Sequence, residues 1–98
     1  MDDPLLKSYE TDGVLIVNTF MYMSERTAYL EKVAKGIKPG GKLIIVDFKK
    51  RWTPIGPPAE IRLAAEEAIR FIEAAGFQVA KKDMDTLEYQ YILVAERL

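Results

Sequence analysis

Two uninterrupted apolar runs mark the first half of the chain, Val14–Val17 and Leu43–Val46. A strand with one buried face alternates apolar and polar residues, whereas a strand covered on both faces is apolar throughout. Both runs therefore predict strands with two buried faces. The first strand ends at Asn18 and the second at Asp47-Phe48.

Two helices and two further strands are predicted around these runs. The first helix follows the N-cap candidate Ser24 and stops at Gly36, before the Pro39-Gly40-Gly41 turn. The second should run from about Ala65 to Ala75 and stop at Gly76. Its N-cap position, Ala64, is a poor cap. The inward positions recur at helical spacing: Leu30, Val33, Ala34 and Ile37, then Ala68, Ile69, Ile72 and Ala75.

The last two strands differ in character. Phe77–Met84 alternates weakly and carries two lysines, which is typical of an edge strand. Asp83–Glu88 turns the chain, and Tyr89–Glu96 predicts the final strand. Crossovers through a helix make the first three strands parallel, while the short turn makes the fourth antiparallel.

Both crossovers place their helices on one face of the sheet if the strands progress in one direction. The other face then has no cover, although the first two strands carry apolar residues on both sides. Four such side chains contribute about 6–12 kcal/mol when buried, comparable with the whole stability of a domain. We therefore expect a homodimer, joined through the bare sheet face, through the edge of the first strand, or both.

Composition narrows the functional classes. The chain has no histidine and no cysteine, which excludes Ser-His-Asp and Cys-His catalysis within one chain, disulfides and cysteine-zinc sites; no metal site is predicted. A net charge of −1 argues against nucleic-acid binding, which needs a basic surface. The apolar runs are too short to span a membrane, and the acidic start Met1-Asp2-Asp3-Pro4 is unlike a secretory signal. We expect a cytoplasmic protein with no membrane partner.

The order of these elements resembles the C-terminal half of class I S-adenosylmethionine-dependent methyltransferases, a Rossmann-like α/β family. The resemblance rests on Asp12–Phe20, on Lys38-Pro39-Gly40-Gly41 before an apolar strand, and on Ala75-Gly76-Phe77 after a helix. It covers residues 12–97 of a single domain, 1–98, with 1–11 as an extended or loosely ordered lead-in. It implies a four-stranded mixed sheet in which the last strand lies between the second and the third.

The resemblance also identifies what the sequence lacks. The family's glycine-rich loop and the acidic residue that holds the cofactor ribose belong to an N-terminal half and have no counterpart here. One wall of the S-adenosylmethionine site remains, at Asn18, Thr19 and Phe20. Met21 stands where members of this branch often carry histidine, so no catalytic residue is predicted and the isolated chain is expected to hold no cofactor.

Three further residues are candidates for contact with a substrate, and each has a structural alternative. Asp47 orients a substrate or caps the second strand. Lys49 opens a basic, proline-rich loop, Lys49–Pro58, that attracts an anion or is simply solvated. Tyr89 lines a pocket or packs in the core.

Three functions remain open. The first is a folding and self-association unit of methyltransferase origin, truncated or engineered, without catalysis of its own. The second is a methyltransferase subunit that becomes active when a separate N-terminal half complements it. The third is a non-enzymatic anion-binding module that uses the Lys49–Trp52 segment.

Overall fold

The computed structural model describes residues 11–98, which form a four-stranded sheet with two helices. The strands are β1 (Thr11–Val17), β2 (Ile37–Phe48), β3 (Phe77–Asp83) and β4 (Gln90–Arg97). The helices are α1 (Arg26–Gly36) and α2 (Ala65–Ala74). The predicted lead-in lies outside the described residues, apart from Thr11, which begins β1.

The sheet order is β1-β2-β4-β3. β1 runs parallel to β2, and β4 runs antiparallel to both β2 and β3. The predicted mixed sheet, its antiparallel last strand and its order are therefore confirmed. β1 and β3 form the two edges, and β4 lies between β2 and β3 and is hydrogen-bonded to both.

The start of α1 differs from the prediction. Its N-cap is Glu25 and not Ser24, and no side chain caps the helix. The Glu25 carbonyl accepts the first helical hydrogen bond from the amide of Tyr29, at 3.0 Å. The Arg26 guanidinium donates instead to the carbonyls of Phe20 (2.9 Å) and Met21 (2.6 Å). These two bonds anchor the helix to the preceding turn, although a guanidinium, which only donates, does not replace a capping oxygen as acceptor for the first amides of the helix.

The predicted Pro39-Gly40-Gly41 turn lies within the extended bounds of β2. Thr11 pairs with Ile37, but Gly13 pairs with Lys42, so the β2 backbone makes a detour here. Gly40 has a φ of +81°, which glycine adopts without steric cost. The segment therefore turns the chain locally and then returns it to the sheet.

Both helices pack on one face of the sheet and enclose the core. The predicted inward positions are buried apart from half-buried Ile69, but Ile37 begins β2 and is not part of α1, and Ala75 is the C-cap of α2. Ala64 is the N-cap of α2 as predicted, and its amide donates to the Glu67 carboxylate at 3.3 Å. Gly76 ends this helical region with a φ of +98°.

The opposite face of the sheet carries six aliphatic side chains. We call them the bare face; they are Leu15, Val17, Ile44, Val46, Ile92 and Val94. Strand pairing aligns them in two rows, Leu15-Ile44-Val94 and Val17-Val46-Ile92. Leu15 is 63% exposed and Val17 42%, while the other four are half-buried. Within residues 11–98 both helices lie on one face of the sheet, as predicted.

Candidate functional site

The parallel strands β1 and β2 bring their carboxyl ends to the same edge of the sheet, where Asn18 follows β1. Its amide donates to the Val46 carbonyl at 2.8 Å, and its side-chain carbonyl accepts a hydrogen bond from the Gln90 amide group. Asn18 has a φ of +59°, a left-handed conformation that asparagine tolerates better than most residues. Asn18 and the following Thr19 are exposed, so both present polar groups at this edge.

Phe20, the third residue of the predicted cofactor wall, is fully buried. Its ring meets that of Phe71 edge to face, with centroids 6.4 Å apart. The Arg26 guanidinium lies 5.8 Å from the Phe20 centroid and 5.3 Å from that of Phe71. The Phe20 side chain therefore belongs to the core and has no surface to offer a ligand in this structure.

Asp47 lies at the end of β2 and is also fully buried. Its carboxylate accepts hydrogen bonds from the amides of Met21 (3.1 Å) and Phe48 (2.9 Å). Burial raises the pKa of this carboxyl, against the opposing effect of the two amides and of nearby arginines. The bond to Met21 ties β2 to the 3-10 turn Phe20–Tyr22; a role of Asp47 in orienting a substrate stays a prediction.

Lys49 and Tyr89 are brought together at the adjoining ends of β2 and β4. The Lys49 amide donates to the Tyr89 carbonyl at 2.9 Å, and the Lys49 ammonium donates to the Glu88 carbonyl at 3.0 Å. Arg51 reaches the same carbonyl at 2.8 Å, and the Lys50 ammonium donates to the Arg62 carbonyl at 2.8 Å. The cations proposed for anion binding thus each donate to a backbone carbonyl outside the Lys49–Pro58 loop, that of Glu88 or that of Arg62; anion binding itself stays a prediction.

Arg62 is the residue that the sequence reasoning missed. It is only 2% exposed, and its five N–H groups reach the carbonyls of four residues at 2.6–3.2 Å. Those residues are Lys49, Arg51, Ile55 and Pro57. The guanidinium also lies 4.9 Å from the centre of the Phe48 ring. A lone arginine in a sequence is usually taken to be exposed to solvent. The nearby prolines were a signal that Arg62 is buried, because proline has no amide N–H and the loop therefore has few donors for its own carbonyls.

The loop closed by Arg62 displays apolar side chains outward. Trp52 is 77% exposed and Ile55 is 59% exposed. Gly56 approaches the Phe48 ring so closely that an added Cβ would lie 2.7 Å from a ring carbon, and its φ is +95°. The loop conformation therefore depends on glycine at position 56 as well as on the buried guanidinium.

Comparison with known proteins shows which proteins share this fold. No protein-family profile matches the chain. A ubiquinone/menaquinone biosynthesis C-methyltransferase UbiE from Laribacter hongkongensis is 29% identical over 76 residues, which are 78% of this chain and 28% of that protein. A SAM-dependent methyltransferase from Aquifex aeolicus is 28% identical, with a TM-score of 0.89 over 96% of this chain and 50% of its own. The chain has the fold of the C-terminal half of a class I S-adenosylmethionine-dependent methyltransferase.

A third similarity supports this assignment. A type 11 methyltransferase from Sulfolobus solfataricus is 28% identical, with a TM-score of 0.83 over 99% of this chain and 56% of its own. The chain therefore spans about half of these solved methyltransferases and just over a quarter of the curated relative. We refer to it below as the half-domain.

An open α/β sheet binds its ligand at the carboxyl ends of the strands. Within residues 11–98, Asn18 and Thr19 are exposed at that end of β1; the expectation that the isolated chain holds no cofactor stays a prediction. Within residues 11–98, no group of three His, Cys, Asp or Glu side chains is placed to hold a metal ion. No helix in the same described part is long and apolar enough to cross a membrane.

Proposed function

We propose that this half-domain is a folding and self-association unit of methyltransferase origin that transfers no methyl group by itself. The observation that supports the proposal is the state of Asp47 at the carboxyl end of β2. A general base must reach its substrate within about 2.6–3.2 Å. A carboxylate without exposed surface, whose oxygens already accept two backbone amides, is not positioned for that role.

The neighbouring ionisable groups support the same conclusion. The Tyr91 hydroxyl is buried and donates to the Leu63 carbonyl at 3.0 Å. Burial, together with the nearby negative charge of Asp47, raises the pKa of this phenol, so no phenolate forms near neutral pH. Lys49 donates to backbone, and the sequence has no histidine.

Calorimetric titration with S-adenosylmethionine tests the proposal directly. We expect no saturable heat from the half-domain, while the Aquifex aeolicus methyltransferase serves as the positive control. Saturable binding at micromolar concentration, weakened by replacing Asn18 or Thr19 with alanine, would overturn the proposal.

A second candidate is a subunit that binds cofactor only after complementation. It is favoured by the position of β1 at the sheet edge, with exposed Asn18 and Thr19 at its carboxyl end. An unpaired edge accepts an additional strand, which a separate N-terminal half would supply. Mixing the chain with the N-terminal half of the Aquifex aeolicus protein should then create S-adenosylmethionine binding that neither part has alone. If the mixture gives no more heat than its parts, this candidate is rejected.

A further inference from the structure

The bare face is a continuous apolar surface on one side of the sheet. Its six side chains lie in register on three adjacent strands, and Leu15 and Val17 at the β1 edge are the most exposed. Soluble monomers rarely leave such a surface open to water, and contiguous apolar patches of this kind mark interaction sites. The question is which partner covers it.

The charges around the bare face suit a second copy of the same chain. Lys42 and Glu96 form an ion pair across β2 and β4 at one end of the face. On β3, Lys81 pairs in register with Val94, and Asp83 pairs with Ile92. Both signs of charge therefore border the apolar centre, so the rim can match itself in a two-fold arrangement. A net charge of −1 per chain adds little repulsion between copies.

The size of the face sets the strength of the contact. Three strands about 4.8 Å apart and about six residues long, at about 3.3 Å per residue, give about 300 Å² per copy. Two copies therefore hide about 600 Å², less than the roughly 1,200–2,000 Å² of stable complexes. A contact of this size indicates a weak dimer that dissociates on dilution.

We propose that a second copy covers the bare face and that the two sheets pack face to face, about 10 Å apart. This inference rests on the proposed function, in which no complementary half occupies the face. Pairing of two β1 edges alone would leave all six side chains in water. Face packing therefore accounts for the apolar surface, whereas edge pairing does not.

Val94→Glu separates the two arrangements. Val94 lies on β4, two strand spacings or about 10 Å from the β1 edge, so a charge there blocks face packing and leaves edge pairing intact. The new carboxylate stands opposite Lys81, which favours the folded monomer. Ile55→Glu is the control, because it adds the same charge to another aliphatic position, one that is exposed (59%) and lies outside the bare face.

Sedimentation of the full chain at graded concentrations gives the result. We expect the native chain and Ile55→Glu to shift from 11.1 kDa to twice that mass as concentration rises. Val94→Glu, with an unchanged circular dichroism spectrum, should raise the dissociation constant at least about tenfold. A native chain that stays monomeric throughout overturns the proposal. A Val94→Glu dimer as tight as the native one overturns face packing and leaves self-association standing. Failure of the proposed function would instead appear as S-adenosylmethionine binding.

Discussion

Replacing Arg62 with methionine should open the Lys49–Pro58 loop and destabilise the whole half-domain. Methionine keeps much of the apolar stem but removes the five N–H groups that hold four backbone carbonyls. It also removes the cation from the face of the Phe48 ring. The loop carbonyls would then have to find water.

The expected loss in the free energy of unfolding is the cost of the lost hydrogen bonds less the gain from hydrating the loop carbonyls. Breaking a buried charged network costs about 3–5 kcal/mol. A loop that opens to water recovers part of this, because its carbonyls become hydrated, so we expect a loss of about 3 kcal/mol. Domains of this size are stable by only about 5–15 kcal/mol, so the loss is easily measured.

Urea unfolding, followed by tryptophan fluorescence and far-ultraviolet circular dichroism, measures both effects. Trp52 is the single tryptophan and lies in the loop, so its fluorescence reports local opening while circular dichroism reports the sheet and helices. Arg62→Lys should fall between the native chain and the methionine variant, because an ammonium has three donors and no planar fork. Arg70→Met, at an exposed position of α2, should stay within about 0.5 kcal/mol of the native chain. If Arg62→Met unfolds at the same urea concentration as Arg70→Met, the reasoning about the buried guanidinium is wrong.

Three other substitutions test separate parts of the structure. Because burial raises the pKa of Asp47, the native chain should lose stability relative to Asp47→Asn as the pH rises from about 4 through that raised pKa; a pH-independent difference in urea unfolding would contradict this. The Thr86 hydroxyl, followed by backbone amides, lowers the pKa of Asp83 to about 2. The native chain should therefore lose stability relative to Asp83→Asn as the pH falls from about 4 to about 2, and equal acid unfolding of both chains would refute it. Gly56→Ala should lower the thermal midpoint more than Gly40→Ala, because both have positive φ but only position 56 lacks room for a Cβ; equal shifts would exclude the clash.

The strands and helices were predictable because the spacing of buried apolar residues along the sequence follows the repeat of the helix or strand that carries them. The apolar run around Leu43 correctly predicted a strand, and the apolar stripe around Val33 correctly predicted a helix. The placement of both described helices on one face of the sheet was also predicted correctly. The central place of β4 came from the family resemblance. Because β4 follows β3 after a short turn, the sequence predicts that the two strands pair. The residues alone do not predict that the other edge of β4 pairs with β2.

The candidate site was less predictable, because the roles of its residues depend on contacts between distant segments. Asp47 and Phe20 lie at or just after the ends of apolar strands, as ligand-binding residues do in this fold. However, the Asp47 carboxylate is bonded to the Met21 amide, and the Phe20 ring is buried in the core. Arg62 gains its importance only when the loop folds around it. Residue type and spacing do not reveal which polar groups remain accessible to a ligand once the chain has formed its own hydrogen bonds.

The central position of β4 imposes an order of assembly on the polypeptide. β2 and β3 touch only through β4, and β4 is the last of the described strands to leave the ribosome. Until residues 90–97 are available, the β1-β2 pair and the α2-β3 segment lack the ladder that unites them, with apolar surface exposed on each. Such late, long-range closure makes for slow folding and for vulnerability to aggregation during synthesis.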